Sequence, residues 1–170
     1  MSEMDYEAAA SYWDGEKRAE MPSDQVRAWV EAFLGEKSVC ALATGAGDYV
    51  RCTPLEFSYH DGAVWIFTEG GRKFVGLAKN EQVSVAVFDQ DPGFGSLRSV
   101  QIQGAAEVVE PMSSEYVAHA EHKKVPVAAL QKLADAGRPM NLLRIVPARA
   151  DVLCSEFKAQ GFDSRQVLEY

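Results

Sequence analysis

The chain has 170 residues, of which 47% are hydrophobic and 25% are charged, and its formal net charge is −8. This length suffices for one domain with a full core, and the composition is typical of a folded globular protein. The acidic balance argues against general affinity for nucleic acids or anionic membranes, so an anion site would have to be a local concentration of positive charge.

The N-terminal sequence and the cysteines indicate a compartment. The stretch MSEMDYEAAA is acidic and lacks the basic-then-apolar pattern of a signal peptide, and no apolar run approaches membrane-spanning length. The cysteines Cys40, Cys52 and Cys154 are odd in number and widely spaced, which predicts free thiols in a reducing environment. We therefore expect a cytoplasmic protein.

Helical patterns open the chain. Residues 1–20 are alanine-rich and polar and predict a covering helix, with the aromatic residues Tyr12 and Trp13 near its end. In MPSDQVRAWVEAFLGEK, apolar residues such as Val26 and Val30 recur at helical spacing, and Gly35 is a plausible stop. An N-terminal helical segment over about 1–36 is the prediction.

After this helix, apolar residues recur with a period of two, which is typical of strands. The runs SVCALAT, YVRCTPLEFSY and AVWIFT predict three strands, and the Asp61-Gly62 pair between the last two predicts a tight hairpin. Pro54 inside the second run predicts an edge strand or a bulge. A short helix, RKFVGLAKN, and a further strand, QVSVAVF, follow.

The second half of the chain repeats this mixture. LRSVQIQGAAEVVE predicts a long strand bent at Gly104, and residues 113–137 predict helix interrupted at Pro126. MNLLRIVPARADVLC predicts a last strand, with a tail over about 154–170. About six strands in hairpin order favour an α+β protein with an antiparallel sheet or small barrel over a doubly wound parallel sheet.

Two cations follow a glycine pair in FTEGGRKF. Arg72 and Lys73 come where the short helix begins, although the helix dipole disfavours positive charge at that end. A bound anion would explain their position. The alternative is that they are solvated surface residues paired with Glu69 or Asp61.

Arg51 and Thr53 extend this cationic spot. They alternate along one face of the second strand, and we expect the hairpin to place them beside Thr68 at the end of the third strand. Together with Arg72 and Lys73, they would offer three cations and two hydroxyls, which suit a phosphate dianion.

Two further patterns have a functional and a structural interpretation. Ser99, Gln101 and Gln103 share one face of a strand, where amides could bond the edge of a flat heterocycle or simply meet solvent. His119 and His122 have a spacing that could hold a metal, but EYVAHAEHKK is typical of a solvated helix face, so no metal site is predicted.

Several segments resemble one family. CALAT, VRCTPLEFSYHDGAVWIFTEGGRKFVGLAKNEQVSVAVF and VQIQGAAEVVE are similar to the FMN-binding split-barrel proteins related to pyridoxamine 5′-phosphate oxidase, over roughly Ser38 to Pro111, with a weaker echo in RIVPARADVL. The resemblance implies that residues 1–170 form a single FMN-binding split-barrel domain. It also implies a homodimer with FMN at the subunit interface.

The resemblance also implies roles for particular residues. Arg51, Arg72 and Lys73 match phosphate ligands, and Thr68 matches a hydroxyl donor. Phe67 and Thr53 would supply backbone or ring contacts. Ser99 or Gln101 falls where the family places a residue near the flavin of the neighbouring subunit.

The chain departs from the oxidase at three places. The glycine loop is one residue shorter and lacks the serine before Arg72, Glu56 stands where the oxidase has a lysine, and the tail GFDSRQ lacks the histidine of an Arg-x-His element. These departures predict flavin binding without pyridoxamine 5′-phosphate oxidation.

The expected function is that of an FMN-dependent oxidoreductase that transfers a hydride between a reduced nicotinamide and a small molecule. No catalytic acid or base can be assigned from the sequence. Haem binding or degradation is an alternative on the same fold, with His60, His119 and His122 as the available axial ligands. A non-enzymatic flavin-binding module and the deazaflavin F420 as cofactor also stay open.

Overall fold

The computed structural model describes residues 5–12, 18–93 and 95–170. Its helices are α1 (Tyr6–Ala10), α2 (Ser23–Glu36), α3 (Lys73–Leu77), α4 (Ser114–His122) and α5 (Val127–Asp135). Its strands are β1 (Val39–Ala46), β2 (Tyr49–Glu56), β3 (Ser58–His60), β4 (Ala63–Thr68), β5 (Gln82–Phe88), β6 (Arg98–Val109), β7 (Asn141–Cys154) and β8 (Arg165–Glu169). A 3-10 helix spans Ser155–Gln160.

All strand pairs are antiparallel and belong to one sheet. Seven strands follow the order β2-β1-β5-β6-β7-β4-β3, and β8 pairs with β7 beside this path. Strands β2 and β4 lie far apart in that order but still contact each other, because the sheet curls. The molecule is therefore an α+β protein with a curled half-barrel, consistent with the predicted split barrel.

Several local predictions are confirmed. Asp61 and Gly62 both have positive φ in the β3–β4 turn, at 51° and 70°, as a tight hairpin of this kind requires. Pro54 lies on the edge strand β2. The register of β6 and β7 shifts at Gly104, and Pro126 separates α4 from α5.

Two element predictions differ from the structure. The run YVRCTPLEFSY is two strands, because Phe57 separates β2, which pairs with β1, from β3, which pairs with β4. The tail contains β8, which together with the divided run gives eight strands in the described residues instead of about six. Of the predicted helix over residues 1–20, the structure describes residues 5–12 and 18–20, among which Tyr6–Ala10 form α1, and Trp13 lies outside the described residues.

The main core lies between the concave side of the sheet and α2. Val26, Val30, Phe33 and Leu34 are the buried residues of α2, which confirms its predicted amphipathic face. They cluster with sheet residues such as Ile102. Burial of this apolar area supplies most of the stability of the domain.

A smaller core lies on the other side of β4. Strand β4 is buried on both faces, because Val64 and Ile66 belong to the main core, whereas Ala63 and Trp65 pack with α4 and α5. Tyr116 and Leu130 are the largest buried side chains that α4 and α5 contribute to this core. Helix α4 thus lies directly against the strand that ends in the glycine loop.

Candidate anion-binding site

The register of β1 and β2 places Arg51 and Thr53 on the inner face of the sheet. Arg51 is opposite Thr44, and Thr53 is opposite Leu42, both of which are buried. Residues that face each other across a pair of strands share a side of the sheet. This arrangement agrees with the alternation predicted for β2.

The reason predicted for their proximity to β4 is wrong. The Asp61-Gly62 hairpin pairs only Ser58–His60 with Ala63–Trp65, so it does not bring Arg51 into register with Thr68. Curling of the sheet brings β2 and β4 into contact instead. Helix α3, which follows β4, packs against both β1 and β2.

Glycines allow α3 to approach β1 closely. A Cβ atom on Gly76 would lie 3.0 Å from the amide nitrogen of Gly45 and 3.3 Å from the Cβ of Thr44. A side chain at this position would therefore push α3 away from β1. Tyr49 adds a second tie, since its hydroxyl donates to the carbonyl of Arg72 at 2.7 Å.

The loop between β4 and α3 depends on two glycines. Gly70 and Gly71 have φ values of 141° and 106°, which residues with side chains rarely adopt. The loop carries the Gly70 carbonyl to the Lys73 ammonium, which donates to it. Thr68 is also buried, and its hydroxyl contacts Gly70 at 3.4 Å.

Lys73 is the unusual residue of this region, because it is a lysine that is only 4% exposed. Burial lowers the pKa of its ammonium, and the nearby Arg51 guanidinium lowers that pKa further. The ion pairs of the described residues include none that involves Arg51, Arg72 or Lys73.

The alternative of surface ion pairs is therefore not supported. Asp61 contacts His60 instead, at 2.9 Å, and Glu69 forms no ion pair with a described residue. Arg51 and Lys73 thus concentrate positive charge in one part of an acidic molecule, and the exposed Arg72 directly precedes Lys73. Such a concentration is what an anion site in this chain requires.

Two hydroxyls at the same place lack partners. The Oγ1 atoms of Thr44 and Thr53 are buried and make no hydrogen bond. An unsatisfied buried polar group costs about 1–3 kcal/mol, so a ligand that accepts from these hydroxyls would recover that free energy. Sequence reasoning missed Thr44, although its alternation with the buried Cys40 and Leu42 in CALAT places it on the inner face.

The remaining candidate residues lie elsewhere. Ser99 and Gln101 are on the outer face of the sheet, opposite Phe88 and Ala86 of β5, so this chain does not bring them together with Arg51. The ring of Phe67 packs edge-on against Tyr116 in the smaller core, with centroids 5.4 Å apart. Because this ring belongs to the smaller core, only the backbone of Phe67 is available to the candidate site.

A cleft adjoins the loop. Glu69 and Asn141 line a cavity of about 620 Å³ together with Arg138, and the Asn141 amide donates to the carbonyl of Glu69 at 3.2 Å. This volume is in the usual range for small-molecule sites.

Sequence reasoning was wrong about one histidine. His119 was predicted on a solvated helix face, but it is 2% exposed and contacts Phe67 and Trp65. The signal was available, because Tyr116, His119 and Ala120 have the i, i+3, i+4 spacing of a buried face. Within the described ranges, no group of three His, Cys, Asp or Glu side chains is arranged to hold a metal ion, and no helix is long and apolar enough to span a membrane.

The fold and the site together define a split-barrel protein with neighbouring cations beside a glycine loop. A family model described as pyridoxamine 5′-phosphate oxidase matches residues 27–152, which is well over half of the chain. The chain therefore belongs to the pyridoxamine 5′-phosphate oxidase family. No curated protein sequence matches it.

Solved structures share the fold. A protein from Mycobacterium tuberculosis described as conserved hypothetical protein Rv2991 is 23% identical, with a TM-score of 0.63, over 85% of this chain and 92% of that one. A FAD-binding protein from Mesorhizobium loti is 22% identical, with a TM-score of 0.56, over 73% and 89%. HutZ, the haem storage protein of Vibrio cholerae, is 17% identical, with a TM-score of 0.56, over 75% and 91%. At these identities, the similarity concerns the fold.

Proposed function

We propose that the protein is an FMN-dependent oxidoreductase that acts on a small molecule, with a reduced nicotinamide as electron donor. The observation that carries the proposal is the burial of Lys73 next to Arg51 without a carboxylate partner among the described residues. Buried charges are ordinarily paired, so this arrangement is best satisfied by a bound anion. Membership of the family makes a flavin phosphate the leading anion.

The residues present fit a phosphate monoester. Arg51, Arg72 and Lys73 would neutralise its charge, and the unpaired hydroxyls of Thr44 and Thr53 would donate to its oxygens. Thr68 would hold the glycine loop from β4 and offer a further hydroxyl. Bound FMN would supply hydride transfer, while the protein supplies binding, orientation and electrostatics.

This donor set favours FMN over FAD as the proposed cofactor, although neighbours of the same fold from Mesorhizobium loti and Mycobacterium smegmatis are described as FAD-binding. FMN ends in a phosphate dianion, whereas the phosphates of FAD are bridged and each carries less charge. Three cations, of which Lys73 is buried, suit the terminal dianion better.

A homodimer is part of the proposal. The outer face of β1 and β5 has small side chains at its centre, including Ala41, Ala43 and Ala86, and the exposed Val50 and Phe88 lie beside them. A partner packed there would bring its own Ser99 or Gln101 toward a shared flavin. Cys40, Cys52 and Cys154 are free, which supports the proposed location in a reducing cytoplasm.

The haem alternative draws support from HutZ and from a haem-binding neighbour of Mycobacterium smegmatis. It requires an axial imidazole that can reach iron. Both ring nitrogens of His60 are engaged, Nδ1 with Asp61 at 2.9 Å and Nε2 with His119 at 2.8 Å, and His119 is only 2% exposed. Flavin is therefore preferred over haem.

An absorbance spectrum of the purified protein after reconstitution separates the two cofactors. We expect a flavin spectrum after addition of FMN, and bleaching of that spectrum by NADH or NADPH in the absence of air. Bound flavin that neither nicotinamide reduces would instead indicate a non-enzymatic binding module. A haem spectrum, or failure to retain any flavin, would overturn the proposal.

A further inference from the structure

All three histidines of the chain meet in one cluster. His60 comes from β3, and His119 and His122 come from α4. The ring centroids of His60 and His122 are 4.0 Å apart, and those of His60 and His119 are 5.1 Å apart. Trp65 stacks with both His60 and His119 at 5.0 Å, so the cluster has an aromatic wall.

A continuous chain of hydrogen bonds runs through the cluster. Asp61 Oδ2 lies 2.9 Å from His60 Nδ1, and His60 Nε2 lies 2.8 Å from His119 Nδ1. The Asp61 side chain is 87% exposed, whereas His119 is buried. The chain therefore connects solvent to the interior.

The chemistry of the groups determines where each proton lies. The His60 contact lowers the pKa of Asp61, so this side chain is a carboxylate that only accepts, and His60 Nδ1–H donates to it. Neutral His60 then has a bare Nε2, which accepts from His119 Nδ1–H. His119 is left with an unprotonated Nε2 that can accept a further hydrogen bond.

His119 borders a small cavity of about 120 Å³. The aromatic rings of Phe57, Trp65 and Phe67 line it, together with Val125 and the Lys123–Glu56 ion pair, whose atoms lie 2.8 Å apart. A water molecule occupies about 30 Å³ of liquid, so the cavity has room for a single ring rather than for a large ligand. Flat apolar walls, an imidazole and an ammonium paired with a carboxylate suit an aromatic hydroxyl compound.

We propose that Asp61, His60 and His119 form a proton relay that deprotonates the hydroxyl of a single-ring phenol-like molecule bound in this cavity. The O–H bond of the ligand breaks and its proton passes to His119 Nε2. At the same time, the proton on His119 Nδ1 passes to His60 Nε2. The products are a ligand oxyanion, a neutral His119 and a His60 imidazolium beside the Asp61 carboxylate.

Burial explains why a relay is needed. Burial first, and then the neighbouring basic side chains of His60, His122 and Lys123, lower the pKa of His119 to about 4. His119 therefore cannot hold a second proton itself at neutral pH. Transfer of the charge to His60, beside the Asp61 carboxylate, removes this obstacle.

The surrounding charges complete the electrostatic setting. Lys123, which directly follows α4, lies at the cavity, where it would stabilise the ligand oxyanion, and Glu56 from β2 is its ion-pair partner. Arg144 from β7 stands 5.7 Å from the Trp65 ring and is paired with Glu107 and Glu115. His60 is a positioning residue here, because it acts through His119. The relay requires no cofactor, so it stands independently of flavin binding.

The test uses the full chain and 4-nitrophenol, whose anion absorbs visible light. The apparent pKa of the bound probe is read from its absorbance as pH is varied. We expect binding to lower this pKa by about one unit or more, which is a tenfold change in the ionisation ratio. No binding, or a bound probe with the pKa of the free compound, would overturn the proposal.

Variants distinguish a relay from a simple field effect. His60→Gln can still accept from His119 but cannot take up a proton, so the pKa shift should disappear while binding persists. Asp61→Asn removes a negative charge. Loss of its repulsion alone would favour the phenolate and enlarge the pKa shift of the probe, whereas the relay predicts a smaller pKa shift. Asp61 is exposed, so this variant is expected to fold. His122→Gln, outside the hydrogen-bonded chain, should retain the shift. An unchanged or larger shift in Asp61→Asn would contradict the relay.

Discussion

The Arg51 guanidinium lies close enough to the buried Lys73 ammonium to lower its pKa, and neither residue has a carboxylate partner within the part of the chain that the structure describes. Two adjacent cations of this kind repel each other in the absence of ligand. Their repulsion is removed when an anion binds. The same pair should therefore oppose stability in the apo protein and support it in the flavin complex.

Lys73→Met tests both halves of this statement, because methionine keeps much of the length of lysine without its charge. We expect the apo variant to melt at the same temperature as the wild type or higher, since burial disfavours the ammonium. FMN affinity should fall by about ten- to a hundredfold, the value of one hydrogen bond to a charged group. Differential scanning fluorimetry and equilibrium titration measure these two quantities.

Saturating FMN provides the reference for this comparison. A ligand at a hundredfold excess over its Kd stabilises by about 2.7 kcal/mol, and each kcal/mol raises the melting temperature by about 2–4 °C in a chain of this size. The wild type should thus gain roughly 5–11 °C. The exposed Lys79 provides a control, since Lys79→Met should retain this gain. Equal losses of FMN and riboflavin affinity in Lys73→Met would show that Lys73 holds only the fold.

His119 predicts a pH dependence of stability. Its pKa is lowered from 6.5 to about 4 in the folded state, so the unfolded chain binds more protons between these values. Stability that is present above pH 6.5 should therefore be lost as the pH falls toward 4, by on the order of 3 kcal/mol. His119→Gln should make the urea midpoint less dependent on pH in this window. His122→Gln, at an exposed position of the same helix, should keep the wild-type slope; identical slopes in both variants would contradict this assignment.

Local patterns predicted most elements because strand alternation and turn chemistry act over a few residues. AVWIFT and QVSVAVF coincide with β4 and β5. Strand β8 escaped prediction because Gln166, a polar residue, occupies a buried position in it. The Gln166 amide accepts from the Met21 backbone and donates to carbonyls of Ala19 and Asp163, which no local pattern reveals.

The candidate site was predictable only in part for a similar reason. Alternation placed Arg51 and Thr53 on one face, and the glycine pair marked the position of Lys73. The contact between β2 and β4 depends on curling of the whole sheet, which involves the distant strand β7 between β6 and β4. The histidine cluster likewise requires α4 to pack against β4, and His119 lies 59 residues after His60, so sequence spacing could not indicate it.

The proposed dimer makes a prediction about the outer face of the sheet. Ala43 lies opposite Cys52 on β2 and Ser84 on β5, in the middle of the small-residue face. Ala43→Arg would place a charge in a packed interface, which should convert the protein to a monomer and weaken FMN retention. Light scattering measures the mass, and Ala159→Arg, at an exposed site of the 3-10 helix, is the control. A wild-type monomer that retains flavin would refute the shared site.

The last prediction is that the protein oxidises pyridoxamine 5′-phosphate negligibly, although it belongs to the family named for that reaction. This substrate brings a second phosphate, which needs cations beyond those around Lys73. Arg144 is already paired with Glu107 and Glu115, and Arg149 with Asp151 and Glu169. Arg165, the third candidate, also has an interaction of its own.

The position of Glu56 also argues against oxidation of pyridoxamine 5′-phosphate. Its carboxylate forms an ion pair with Lys123, so Lys123 is not free to bind the substrate phosphate. Like charges at about 4 Å repel by about 4 kcal/mol at an effective dielectric constant of 20, and the exposure of Glu56 reduces this value. An assay of pyridoxal phosphate formation under air, run beside NADH- and NADPH-dependent flavin reduction, checks the prediction. Efficient formation of pyridoxal phosphate would mean that these arginines release their carboxylates to hold the substrate.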